Sequence, residues 1–495
     1  MRLLKSPYGF LSLLVVVYGV SRLFNLTVLP IFTDESIYIY WAKLIESTHL
    51  QWFVSLTDGK PPLLIWMITI FLKILPDSWY LVAGRLPAVI AGGVSVVAIY
   101  HISLLLFEKR NIALVSASLY IVFPFTLLYD RMALFDSPLQ AALLVSTYFA
   151  LKTAKSLKVK DAVFMGISLG IAFLFKPTAL VFVGLLAGVV LLFAIRKKKN
   201  KWFRIIGLIG IAVVISEVIN NLQRVSSVYF MAGLKNAQFQ QPIEELLKNP
   251  FALTYHNMNG FIGWIIGYYT VPFLLLGLIG MIVLLTKNVK VGLTLAGLWI
   301  IPIIALATIG REIFPRYMLF TTPYFLIAVA FVFVLLYEKS QRYALVIASM
   351  GIAIIVPFLV MDYAILTNPV KASLPETDYN QLIATHPSGY GLDRVYDVIN
   401  QRIVEGGKVT LVTQGTFGLY PYAFMLEYWD NPNITILPRW PLDKIDDQII
   451  SSQASSSVII LLKEHDSIPE NLPLRLIEKV DKPGGMYPIL ITELQ

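Results

Sequence analysis

The stretch Val181-Phe182-Val183-Gly184-Leu185-Leu186-Ala187-Gly188-Val189-Val190-Leu191-Leu192-Phe193-Ala194-Ile195 contains no charged side chain, and Phe325–Tyr337 repeats the pattern. Blocks of this kind recur along the chain. They read as bilayer-spanning helices, which need about 20 predominantly apolar residues each. Composition points the same way. Of 495 residues, 57% are hydrophobic and 14% charged, where a soluble domain carries about a quarter charged. The mean hydropathy is +0.70. A soluble fold this apolar has nowhere to put its side chains.

Working outward from these blocks, eleven spans are read, at about 8–30, 85–106, 111–129, 138–154, 161–175, 178–195, 203–220, 260–286, 291–309, 317–337 and 342–361. The loops Glu108–Asn111, Lys152–Lys160, Arg196–Arg204, Lys287–Lys290 and Glu338–Arg342 are basic or mixed. With Arg2 and Lys5 they fall on one side if the spans alternate, and the excess of lysine and arginine makes that side cytoplasmic. The first span follows Met1–Pro7 without a small-residue cleavage site and reads as a retained span. Pro61–Leu75 is apolar but short and begins with two prolines, so it reads as an interfacial or re-entrant helix inside a large first outer loop, residues 31–84. Beyond residue 361 the composition changes. Residues 362–387 read as a linker. Residues 388–495 read as a small exterior α/β domain, with strand-like runs at Lys408–Gln414, Asn433–Leu437 and Ser457–Leu462 and helical spacing over Asp393–Ile403.

The fold class is thus an all-α polytopic membrane protein followed by a small α/β domain. Its expected place is the cell membrane, with the C-terminal domain on the extracytoplasmic side. Several function classes drop out. There is no cysteine, hence no disulfide, thiolate nucleophile or zinc–thiolate site. The five histidines are scattered. No phosphate loop or dinucleotide fingerprint occurs. Gly166-Ile167-Ser168-Leu169-Gly170 matches a nucleophile elbow in letters but lies inside an apolar span, where small residues serve helix packing. The net charge of +9 lies largely in the short loops and implies no nucleic acid.

Ionisable residues gather on the outer side: Asp34, Glu35, Asp58, Lys60, Arg85, Arg131, Asp136, Lys176, Arg311 and Arg316. Such residues near membrane depth cost free energy and are functional candidates, although interfacial snorkelling and structural ion pairs also account for individual members. In Phe32-Thr33-Asp34-Glu35-Ser36-Ile37-Tyr38, Thr33 or Asp34 suits a helix cap and Glu35 the positive end of that helix. Alternatively, Asp34 suits a general base. In Asp58-Gly59-Lys60-Pro61-Pro62-Leu63, the prolines fix the backbone beside a point charge suited to phosphate. In Tyr129-Asp130-Arg131-Met132-Ala133-Leu134-Phe135-Asp136, Arg131 either closes the loop by pairing with an aspartate or holds a phosphate, with Asp136 on the acceptor or a metal. Lys176-Pro177-Thr178 and Arg311-Glu312-Ile313-Phe314-Pro315-Arg316-Tyr317 add basic groups. Several cations aimed at one point would neutralise a leaving phosphate.

The order of these motifs resembles the protein O-mannosyltransferase and aminoarabinose-transferase superfamily of GT-C fold glycosyltransferases. The likeness covers about residues 8–340. It implies inverting transfer of a sugar from a polyprenyl-phosphate donor, dolichyl or undecaprenyl, on the outer face. The acceptor hydroxyl or amine would belong to an unidentified lipid, glycan or protein. By the resemblance Asp34 is the catalytic carboxylate, Glu35 its partner and Asp136 the second acidic position. Lys60 binds the donor phosphate, Arg316 and Tyr317 form the late basic-aromatic motif beside it, and Arg131 and Lys176 are added as phosphate-binding candidates. Some members carry a metal ligand just before the K-P lysine. Gly59 stands there in this chain, so a divalent metal ion stays open as a cofactor and no metal ligand is assigned. The histidine-containing signature of eukaryotic protein mannosyltransferases is absent, so mannose and a protein acceptor are not implied. Competing readings are a lipid or solute transporter or flippase, which would set charges near the midplane at broken helices, and a non-catalytic scaffold whose exterior domain binds cell-wall polymer.

Overall fold

The computed structural model describes residues 9–49, 51–195, 201–405 and 407–495. Arg2, Lys5 and the Arg196–Asn200 part of the fourth basic loop, all used above to assign sidedness, lie outside the described residues, as does Tyr8 at the start of the first span.

The chain begins with α1 (Gly9–Leu23), α2 (Thr33–Thr48), α3 (Leu63–Leu72) and α4 (Tyr80–Phe107). It continues through α5 (Arg110–Ile121), α6 (Pro124–Tyr129), α7 (Asp136–Ser156), α8 (Val159–Phe173), α9 (Leu180–Ala194) and α10 (Trp202–Asn220). Two shorter helices, α11 (Tyr229–Gln238) and α12 (Ile243–Lys248), precede α13 (Thr254–Tyr269), α14 (Val271–Lys287), α15 (Val289–Ile309), α16 (Thr322–Lys339) and α17 (Ala344–Thr367). Six stretches of described helix are long and apolar enough to cross a membrane: Asp77–Phe107, Pro177–Ala194, Trp202–Val225, Val289–Ile309, Pro315–Lys339 and Gln341–Thr367. The bent pair α13 and α14 makes a seventh if counted as one. The sequence reads 260–286 as a single span. In the fold it is two helices bent by 105°, because Thr270 leaves the helical region (φ 58°, ψ 150°) and Pro272 lacks an amide donor at the start of α14. The ten residues of α3 extend about 15 Å, half the thickness of a hydrocarbon core.

The chain divides into two compact units, and neither is a continuous segment. Unit 1 comprises Met1–Leu26, Gln51–Met67 and Arg85–Leu366; unit 2 comprises Thr27–Leu50, Ile68–Gly84 and Thr367–Gln495. Within unit 1, α8 packs against α7 and α10, and α16 against α5 and α14. A Cβ on Gly166 would stand 2.6 Å from the Ala212 carbonyl, and one on Gly170 2.6 Å from Ile219. Two glycines four residues apart therefore let α8 and α10 approach backbone to backbone. Thr322–Ala330 of α16 is buried without interruption, making it the axis of the unit.

In unit 2, α18 (Glu376–Tyr379) and α19 (Leu392–Val404) lead into a five-stranded sheet of β1 (Val409–Gln414), β2 (Ile434–Arg439), β3 (Ser457–Leu462), β4 (Leu474–Val480) and β5 (Ile489–Leu494). The strand order is β2-β1-β3-β5-β4. β1 pairs in parallel with β2 and β3, while β5 pairs antiparallel with β3 and β4. α20 (Leu419–Glu427) follows β1, and α21 (Asp447–Ser452) follows β2. One face of the sheet buries Val412, Val458, Ile460, Leu462 and Leu490 against Ile449 of α21. α2 belongs to this unit and packs against α20, with Tyr40 stacked on Tyr422 at 4.3 Å.

Candidate active site

Three basic side chains of unit 1 share a local design. Each sits beside a proline that opens a helical turn: Lys60 before Pro61-Pro62, Lys176 before Pro177, and Arg316 after Pro315. A residue preceding proline is confined to extended backbone, and Lys176 shows it (φ −151°, ψ 141°). The helix then starts with its geometry set, and the long basic side chain projects from a fixed point.

These residues meet. Lys176 Nζ lies 2.6 Å from Oδ1 of Asp136, the first residue of α7, and 4.7 Å from the centre of the Tyr317 ring. The Arg316 guanidinium lies over Phe314 at 4.8 Å and Tyr317 at 5.6 Å. Lys60 Nζ stands 5.2 Å over Phe239. Burial lowers the pKa of Lys176; Asp136 opposes that shift, and the charges of Arg316 and Lys60 add to it. Arg316 and Lys60 therefore both act on Lys176, which pairs with Asp136. Aromatic faces attract cations without neutralising them, and basic side chains gathered in this way suit a phosphate.

Phe239 and Phe314 were not found in the sequence. Phe239 is held by backbone pairing: Arg311 donates to the Phe239 carbonyl at 3.0 Å, and Gln241 donates to Ile309 at 2.8 Å. The Arg311 side chain points elsewhere, to Glu245 at 3.3 Å on the surface.

Arg131, read as a phosphate ligand, stands in a different setting. It is buried, and its guanidinium donates to the carbonyls of Ser21 (3.2 Å), Arg22 (2.8 Å), Phe24 (2.7 Å) and Asn25 (2.7 Å). These lie at the C-terminal end of α1, where helical carbonyls have no partner within the helix. Arg85 acts alike on the Leu26 carbonyl at 2.7 Å. Beside them, Arg22 and Asp130, both fully buried, approach to 3.6 Å. The Asp130 carboxylate accepts hydrogen bonds from Tyr18 (3.3 Å), Tyr120 (3.2 Å) and Ser137 (2.8 Å).

Asp34 and Glu35 belong to unit 2, on the first turn of α2. The buried Glu35 accepts the Phe32 amide at 3.0 Å, closing the start of its own helix. Thr33 donates both its amide and its hydroxyl to the Pro387 carbonyl, each at 3.0 Å, and Phe32 bridges to Ser388. Asp34 is half-buried beside them. The pair thus divides: Glu35 takes the capping role, and Asp34 presents the more accessible carboxylate.

Among the described residues, no three histidine, aspartate or glutamate side chains gather to hold a metal ion. The Asp58 carboxylate is 4.0 Å from Lys235, and Gly59 offers no side-chain donor. The residues of the K-P turn do not fit a divalent ion.

Residues 59–219 match the family model described as dolichyl-phosphate-mannose-protein mannosyltransferase. No curated protein sequence matches the chain. Among solved structures, ArnT from Cupriavidus metallidurans bound to undecaprenyl phosphate is similar with a TM-score of 0.58 and 13% identity, over 98% of this chain and 97% of that one. The apo oligosaccharyltransferase of Archaeoglobus fulgidus is similar with a TM-score of 0.54 and 11% identity, over 92% of this chain and 70% of that one. At these identities the structural likeness speaks for the fold. The chain thus shares the fold of these membrane glycosyltransferases, and its segment 59–219 is similar to the protein mannosyltransferase family model.

Proposed function

We propose that the chain transfers a sugar, with inversion, from a polyprenyl-phosphate donor to an acceptor hydroxyl or amine at the outer face of the cell membrane. The observation that carries this reading is the cation cluster of Lys60, Lys176 and Arg316 around Asp136 in unit 1. The undecaprenyl phosphate bound by the similar ArnT supports it, and so does the donor lipid in the name of the matching family model. Eleven spans, with the soluble domain outside, remain part of the proposal.

In the proposed reaction the acceptor oxygen or nitrogen attacks the anomeric carbon from the face opposite the phosphate. The bond from that carbon to the phosphate oxygen breaks, and its electron pair leaves with the polyprenyl phosphate. The family resemblance assigns the acceptor proton to the Asp34 carboxylate. Charge grows on the departing phosphate, where Lys60, Lys176 and Arg316 bind it more tightly than in the ground state; donors that meet developing charge lower the barrier most. Asp136 holds the Lys176 ammonium in place, and Tyr317 walls the cluster beside Lys176 and Arg316. Glu35 fixes the turn that carries Asp34, and Arg131 braces α1 instead of binding donor.

The test is donor consumption by purified protein in nanodiscs supplied with labelled undecaprenyl- and dolichyl-phosphate sugars and a membrane-extract acceptor. Asp34→Asn should abolish transfer and leave the melting midpoint unchanged. Wild-type turnover in that variant removes Asp34 from the base role. Failure of the parent protein to consume any such donor removes the reaction itself.

A further inference from the structure

Unit 2 holds a second gathering of cations that the transfer reaction does not use. The chain runs from β1 to β2 on one flank and then crosses to β3 on the other, so the strand order reverses between β1 and β3. In parallel sheets a reversal of this kind opens a crevice outside the carboxyl ends of the two strands, where ligands bind. Here β1 ends in Gln414-Gly415, and β3 runs into Lys463-Glu464-His465.

Gln414 ties the two strand ends together. Its side-chain oxygen accepts the Lys463 amide at 2.9 Å, and its nitrogen lies 3.1 Å from His465 Nε2. Gly415 has φ +134°, and a Cβ there would lie 2.9 Å from the Tyr420 carbonyl and 3.4 Å from Lys463 Nζ. The absence of a side chain brings the Lys463 ammonium against bare backbone. Lys482, only 4% exposed, donates to the carbonyls of Thr385 (3.1 Å) and Ser388 (2.5 Å). Its charge and that of Lys463 both reach His386. Glu464 lies 3.7 Å from Lys463. Burial, then the charges of Lys463 and Lys482, lower the pKa of His386, so it stands beside the two lysines as a neutral donor. Burial lowers the pKa of Lys463, and burial followed by the charge of Lys463 brings Lys482 down to about 7. Lysines gathered at a strand-end switch point, against bare backbone, are the chemistry of an anion site.

We propose that the β1/β3 strand ends of unit 2 bind a phosphate group, held by Lys463, Lys482 and His386 against the backbone at Gly415. The group belongs either to a soluble phosphate compound or to a lipid headgroup, and the two sources are separable. The full chain in neutral-lipid nanodiscs is titrated calorimetrically with pyrophosphate and, in a second arm, with dihexanoyl phosphatidic acid. Two classes of site are expected for at least one of these probes. Lys463→Gln should weaken one class at least tenfold, with the melting midpoint unchanged, and His386→Asn, on a separate segment, should weaken the same class. Arg316→Ala should remove the other class. A response to pyrophosphate alone indicates a soluble phosphate; a response to phosphatidic acid alone indicates a headgroup. If neither probe shows a class sensitive to Lys463→Gln, the inference is overturned. Loss of only the Arg316-sensitive class would instead count against the donor site and leave this one standing.

Discussion

Two buried ionic clusters of unit 1 contain the same residue types and do opposite things with them. Around Asp130, the carboxylate is met by a cation and by hydroxyl donors. Arg22 faces the carboxylate and also donates to the Ile121 carbonyl at 2.8 Å, while Tyr18, Tyr120 and Ser137 donate to Asp130. Arg131 beside them is saturated by four carbonyls. Around Asp136, Lys176 pairs with the carboxylate, and aromatic faces lie against Lys60, Lys176 and Arg316. The first cluster is closed and braces helices. The second gathers basic side chains beside proline-opened turns and aromatic faces, a setting that attracts an arriving phosphate. What a basic residue does here is read from the acceptors it already has.

The comparison breaks most visibly at Arg22. Arg22→Met leaves the Asp130 charge buried without its cation, which costs about 3–5 kcal/mol. The melting midpoint in detergent should fall sharply, while turnover per folded molecule stays near wild type. A variant that melts normally but loses turnover would move the Asp130 cluster into the reaction. Arg316→Ala should do the reverse. Removing one charge-stabilising group at a reaction centre lowers kcat by roughly 10²–10³-fold; steady-state donor consumption should show that loss with the melting midpoint little changed.

A smaller effect tests how tightly the closed cluster is packed. A Cβ on Gly92 of α4 would lie 2.0 Å from Tyr18 Oη and 2.4 Å from Asp130 Oδ2. Gly92→Ala must push these groups apart, and overpacking of this kind costs about 1–3 kcal/mol. Thermal unfolding should register it, and the double variant Gly92→Ala/Tyr18→Phe should recover part of the loss, because the Tyr18 oxygen is the nearest obstacle.

The sequence made the apolar helices and the motif order legible because hydrophobic runs and proline-flanked lysines are local signals. β1, β2 and β3 begin and end within two residues of the runs read as strands. β4 and β5 escaped notice. A register shift between Leu476 and Glu478 breaks the alternation that would have marked β4. The helix break at Thr270 did have a local sign in Pro272, overruled by the apolar run around it. The roles of Arg131 and Lys176 could not be separated in the same way. Both are basic residues in short loops between apolar blocks, and the difference lies in the backbone carbonyls of α1, which no residue type spells out. Glu35 and Asp34 raise the same difficulty, because adjacent carboxylates on a helix start differ only in which one turns back to the amide of residue 32.

The finest probe of the open cluster is pH. Burial, reinforced by Arg316 and Lys60, sets the Lys176 pKa below its ordinary 10.5. Between the lowered value and 10.5 the unfolded chain holds more protons than the folded one. The contribution of this group to stability therefore rises with pH across that window and is lost as pH falls through the folded pKa. Affinity for a phosphate dianion moves the other way, present while Lys176 is charged and fading as it deprotonates. Calorimetric binding of the donor phosphate should weaken at a pH where an ordinary lysine still holds its proton. Lys176→Arg should shift that decline out of the accessible range while keeping the charge. If the alkaline limb is the same in Lys176→Arg, another group sets it, and Lys176 joins Arg131 as a brace.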